Sequence, residues 1–101
     1  MISETLLEFF GHDNWPYLLD PDQYGIISAE ITHANKPTVN SRILLKTESG
    51  NTWSVIRTQH TPPGLWEAVG FRESGHPYSL ILYELPNLLS TLNYKRNENL
   101  H

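Results

Sequence analysis

Val39-Asn40-Ser41-Arg42-Ile43-Leu44-Leu45-Lys46-Thr47-Glu48-Ser49-Gly50-Asn51-Thr52-Trp53-Ser54-Val55-Ile56-Arg57-Thr58 is the stretch that decides the fold. Successive side chains of a strand point to opposite faces, so a half-buried strand reads as alternating apolar and polar residues. In the first half Val39, Ile43 and Leu45 share a face against Asn40, Arg42 and Lys46, with Leu44 breaking the alternation. In the second half Trp53, Val55 and Arg57 alternate with Ser54, Ile56 and Thr58. Glu48-Ser49-Gly50-Asn51 supplies the turn chemistry between them, which predicts an antiparallel hairpin.

The flanking sequence extends this hairpin into a sheet. Upstream, Tyr24 to His33 alternates Ile27, Ala29 and Ile31 with Tyr24, Ile26, Ser28, Glu30 and Thr32, and the turn Ala34-Asn35-Lys36-Pro37 leads into the hairpin. Downstream, Pro62 and Pro63 cannot donate ladder hydrogen bonds, so residues 59–64 form a loop. Leu65 to Phe71 reads as a single helical turn or an irregular stretch burying Leu65, Trp66, Val69 and Phe71. After the turn Arg72 to Pro77, Tyr78 to Glu84 is apolar on both sides, with Leu80 and Leu82 against Ile81 and Tyr83. That pattern predicts an interior strand covered on at least part of each side.

Helices bracket the sheet. Ile2, Leu6, Phe9 and Phe10 recur at helical spacing over residues 3–10, with Ser3 or Thr5 as N-cap and Gly11 as the stop. Pro86 fits the first turn of a helix reaching about Tyr94, with Leu85, Leu88, Leu89 and Leu92 on one face and Lys95-Arg96 at its negative end. Between the first helix and first strand, Pro16 and Pro21 push the residues before them out of the α region, so His12 to Gln23 reads as irregular. Trp15 and Tyr17 in that segment are expected to pack over the edge of the core. The chain is thus expected to be α+β: an antiparallel sheet of about four strands with a short N-terminal helix and a C-terminal helix packed on one face. A β-sandwich is the structural alternative. The expected core is Leu6, Phe10, Ile43, Leu45, Val55, Leu80, Leu82, Leu88 and Leu92.

At 101 residues the sequence is the size of one domain, residues 1–101, and 39% hydrophobic residues suffice for one core. With no cysteine there is no thiolate ligand or thiol nucleophile, which favours a reducing, cytoplasmic setting. Apolar runs such as Ser79 to Tyr83 fall far short of the roughly 20 residues that span a bilayer, and the N-terminus lacks the basic region of a signal peptide. No membrane association is expected.

The net charge of −4 is distributed unevenly. Met1 to Asn35 holds six acidic residues and no Lys or Arg, whereas residues 36–101 hold seven basic and five acidic ones, which is −6 against +2. A chain with so few cations has little affinity for phosphate backbones, so no nucleic-acid partner is expected. An acidic block is most often plain solvated surface, and otherwise an electrostatic face for a basic protein.

Catalytic signatures are missing: there is no phosphate-cradling glycine loop, no G-x-S-x-G elbow and no H-E-x-x-H pair. The histidines His12, His33, His60, His76 and His101 share no close ligand spacing, so neither metal nor cofactor is expected. These features point to a small protein-binding module, an inhibitor or immunity-type protein neutralising a cognate toxin, such as a basic nuclease, by occlusion. Asp13, Trp15, Tyr17, Asp20, Asp22 and Glu30 are the expected partner-binding residues. The alternative is a small enzyme or ligand-binding domain with a pocket around His60, Trp66, Glu67 and His76.

Overall fold

In the computed structural model, which describes residues 1–32, 39–58, 60–77 and 81–93, the chain is α+β. Five strands form one antiparallel sheet in sequence order: β1 (Ile26–Thr32), β2 (Val39–Thr47), β3 (Thr52–Thr58), β4 (Trp66–Phe71) and β5 (Ile81–Tyr83). Helices α1 (Ile2–Phe10), α2 (Trp15–Leu18) and α3 (Leu85–Thr91) accompany it. The 34–37 turn, Leu80, and the Tyr94, Lys95 and Arg96 end of the expected C-terminal helix lie outside the described residues.

The β2–β3 hairpin follows the alternation. Ile43 faces Val55 and Leu45 faces Trp53, all four are buried, and Arg42, Leu44 and Lys46 point to the other side. Ala29 and Ile31 on β1, and Trp66 and Ala68 on β4, continue the inner row. Leu6 and Phe10 of α1 and Leu85, Leu88, Leu89 and Leu92 at α3 close over that row. Among the described residues no helix packs on the opposite sheet face.

Four local expectations are corrected. The 65–71 segment is strand β4, because Trp66, Ala68 and Gly70 face inward in register with β3, and this adds the fifth strand. Tyr78 to Glu84 does not supply an interior strand: its described part, β5, pairs only with β4 at the sheet edge, and Leu82 stays 42% exposed. Its inward side chains are Ile81 and Tyr83, opposite Ala68 and Trp66. Helix α1 begins one residue early with Met1 as N-cap, and Thr5 instead donates its hydroxyl to the Met1 carbonyl at 3.2 Å. Residues 12–24 are largely helical, consisting of a 3₁₀ turn His12–Asn14, α2, and a 3₁₀ turn Pro21–Tyr24. Each proline sits in a first turn, where its missing N–H has no intrahelical acceptor to lose.

A polar knot fastens the sheet end to α3. The Trp53 indole and the Asn51 side chain both donate to the Leu92 carbonyl, at 2.9 and 3.2 Å. Asn93 accepts the Ser49 N–H at 2.9 Å. Two glycines make this closure possible: a Cβ at Gly70 would strike the Trp53 ring, and one at Gly25, held at φ 70°, would land on the Asn93 side chain.

Candidate functional site

The connection from α1 to β1 is held at both ends and presents its middle outward. Gly11, at φ 100°, ends α1 and donates its N–H to the Leu7 carbonyl at 2.9 Å. Asn14 then donates its side-chain amide to the Phe10 carbonyl at 2.8 Å. Leu18, fully buried, nails α2 to the core, and Tyr24 packs against the same core just before Gly25 turns the chain into β1.

Between these anchors the large side chains face solvent. Trp15 is 56% exposed, Tyr17 42% and Leu19 57%. The expectation that Trp15 and Tyr17 cover the core edge is therefore corrected: Leu18 supplies the buried contact of α2, and its neighbours project outward. Asp13, Asp20 and Asp22 are exposed around them. The Tyr24 hydroxyl is held above its usual pKa by burial first, then by the Asp20 carboxylate and by Tyr17, which places these groups within electrostatic reach of one another.

Glu30 stands apart from this group. Its neighbours Ala29 and Ile31 pack against the core, and it pairs across with Leu44 on the opposite, helix-free face. Five of the six expected partner-binding residues thus share one segment, and the sixth occupies another surface.

Tyr17 also leans over a cleft of about 410 Å³. Phe10 and Asn14, the Pro63-Gly64 loop with Leu65, and Glu84 to Pro86 at the start of α3 line it together with Arg57. The Trp66 indole lines it as well, packed edge-to-face with Phe10 at 4.9 Å between ring centroids. The Arg57 guanidinium lies over that indole, 5.0 Å from its centroid, where the negative ring face attracts a cation. Arg57 was legible as the anomaly of its strand, a cation on the same side as Trp53 and Val55. No pattern in the sequence links it to Tyr17.

The residues of the alternative pocket do not assemble. Trp66 faces the helices, while Glu67 pairs with Leu82 on the other face. His60 lies beyond the end of β3, its N–H donating to Thr58 Oγ1 at 3.1 Å, and His76 lies beyond the opposite end of β4, its Nδ1 3.1 Å from Ser74 Oγ. A strand of that length separates them by about 17 Å at roughly 3.4 Å per residue. Among the described residues no cluster of three His, Asp or Glu side chains is arranged to hold a metal ion, and no helix is long and apolar enough to cross a membrane.

The fold and site thus define an α+β protein with a five-stranded meander and an edge of exposed acidic and aromatic side chains. Comparison with known protein families, curated proteins and solved structures finds no match to this chain.

Proposed function

We propose that this chain is a protein-binding module, an inhibitor or immunity-type protein that neutralises a cognate toxin by covering its functional surface. The observation that carries the reading is the pair Trp15 and Tyr17, both exposed on a short helix whose position is fixed by buried Leu18. An aromatic side chain held out on a rigid element meets a partner at little entropic cost, and such residues dominate interface energetics. Asp13, Asp20 and Asp22 around them form a negative rim with no Lys or Arg in the segment, which favours a partner with a basic face, such as a nuclease, over nucleic acid itself. The cleft beside Tyr17 is the receptor for one partner side chain. A cysteine-free chain of this kind acts in the cytoplasm, where a toxin is neutralised before it reaches its target.

Affinity purification from the native cell followed by mass spectrometry should return one stoichiometric protein with a basic surface. With that partner in hand, Asp20→Lys should slow association at low salt and have less effect at high salt, because steering is screened. Tyr17→Ala should chiefly speed dissociation. An association rate unchanged by Asp20→Lys at both salts would reject the acidic rim as the docking face.

A further inference from the structure

The helix-free face of the sheet is patterned, and the pattern is self-complementary. Strand register places its outward residues in rows: Thr32, Arg42, Ile56, Glu67 and Leu82 across β1 to β5; Glu30, Leu44, Ser54 and Val69 across β1 to β4; and Ser28, Lys46, Thr52 and Phe71 across the same four strands. Phe71 and Leu82 are exposed, and Leu44, Ile56 and Val69 are partly exposed. Basic Arg42 and Lys46 thus sit on β2 and acidic Glu67 on β4, one strand to either side of β3, with Glu30 on β1 at the outer flank of β2.

We infer that this face binds a second copy of the same chain, packed sheet to sheet about a two-fold axis running along β3. Rotation about such an axis exchanges β2 with β4 and keeps each row opposite itself. Arg42 then faces Glu67 of the second copy, twice by symmetry, Leu44 faces Val69, Lys46 faces Phe71 with its aliphatic stem, and Ile56 faces Ile56 on the axis. Two twisted sheets pack in this aligned fashion about 10 Å apart, a gap that Arg and Glu side chains bridge.

The charges select this axis over the other two-fold arrangement. An axis running across the strands through the Leu44 row would set each strand against itself, placing Arg42 opposite Lys46 and Glu30 opposite Glu30 and leaving Glu67 with no cation. Like charges at a closing interface cost specificity and affinity, so that arrangement is disfavoured. The three rows, about 14 Å long at roughly 3.4 Å per residue and about 19 Å wide over five strands roughly 4.8 Å apart, cover well under the ~800 Å² per partner of a standard interface. The dimer is accordingly weak and reversible.

Sedimentation velocity from about 5 µM to about 500 µM tests the inference, with the wild type expected to rise from one chain mass toward two over this range. Arg42→Glu alone and Glu67→Arg alone should each stay monomeric, because each sets two pairs of like charges face to face. Mixed in equal amounts, those two monomers should form a dimer, since both cross-contacts then join opposite charges. Ile56→Glu, which puts two carboxylates on the axis, should raise the dissociation constant at least ~30-fold, and the charge pair keeps the test decisive should that chain fold poorly. A wild type still monomeric at the top concentration, a dimer unaffected by either single charge change, or a mixture that stays monomeric would each overturn the inference.

Discussion

Gly70→Ala separates a packing argument from a propensity argument by sign. Glycine in a strand interior is less favourable than alanine by about 0.5–1 kcal/mol, so backbone preference alone forecasts a more stable protein. The contacts forecast the reverse. A Cβ at Gly70 lies 2.7, 2.8 and 2.9 Å from Cε2, Cζ2 and Cδ2 of the Trp53 indole, where nonbonded carbons settle at about 3.5–4.0 Å. The ring has no inexpensive retreat, because its Nε1–H is committed to the Leu92 carbonyl at 2.9 Å and its edge meets Tyr83 at 6.4 Å. Overpacking of a filled core costs about 1–3 kcal/mol, and straining the indole hydrogen bond adds up to about 1. Net of the backbone gain, the loss is up to about 3.5 kcal/mol with a midpoint near 2, roughly 4–8 °C in melting temperature for each kcal/mol at this chain length. Urea denaturation followed by far-UV circular dichroism measures it. In a Trp53→Phe background the smaller ring leaves room, so the same substitution should be near neutral there, a coupling that a double-mutant cycle reads directly. A Gly70→Ala chain as stable as the parent, or more so, would refute the close-approach account of this glycine.

Leu45→Ala should cost about 2–5 kcal/mol because Leu45 is fully buried, whereas Leu82→Ala on the exposed edge strand should cost under about 1 kcal/mol; chemical denaturation of both checks this. Tyr24 and Tyr83 both have pKa values raised from 10.0, Tyr83 by burial and Tyr24 by burial followed by Asp20 and Tyr17. Above pH 10 the unfolded chain therefore releases these protons before the folded one does. Stability is fully present below the unfolded pKa and falls as pH rises through the folded values. Melting temperatures between pH 8 and about 11.5 should show this decline, and Tyr24→Phe with Tyr83→Phe should flatten it.

What was legible in the sequence was whatever local periodicity could carry. The hairpin of Ile43, Leu45, Trp53 and Val55, the apolar stripes of Leu6 and Phe10 and of Leu88 and Leu92, and the stop at Gly11 each depend on neighbours within a few residues. β4 was obscured because its inner face reads Trp66, Ala68, Gly70, a sequence of shrinking side chains that resembles no amphipathic pattern. The taper makes sense only once Trp53 is known to lie over Gly70. Leu82 misled for the opposite reason: an apolar residue in an apolar strand carries no mark of whether the strand lies inside or at the edge. For the site, the acidity of residues 13–22 and the aromatics among them were readable from composition, but their exposure depends on Leu18 taking the buried position of α2. Glu30 was grouped with them by nearness in sequence, and strand alternation moved it to the other face.

The two proposed surfaces occupy different parts of the molecule, and this makes them separable. Trp15, Tyr17 and Asp20 lie on the connection that packs beside α1 on the helix-bearing side, anchored there by Leu18 in the core that the helices cover. Arg42, Ile56 and Glu67 lie on the opposite sheet face, on side chains that alternate away from that core. A dimer closed through the sheet would leave both acidic edges open, so each copy would engage its own basic partner and the full assembly would hold two of each chain. Its binding strength per site would be that of the monomer, because neither edge gains or loses a contact when the sheets close. Ile56→Glu should therefore halve the mass of the complex while leaving the partner's association and dissociation rates per site unchanged, and Asp20→Lys should slow association without altering self-association. If Ile56→Glu instead abolished partner binding in a chain that still melts like the parent, the partner would be using the sheet face, and the acidic edge would be ordinary solvated surface.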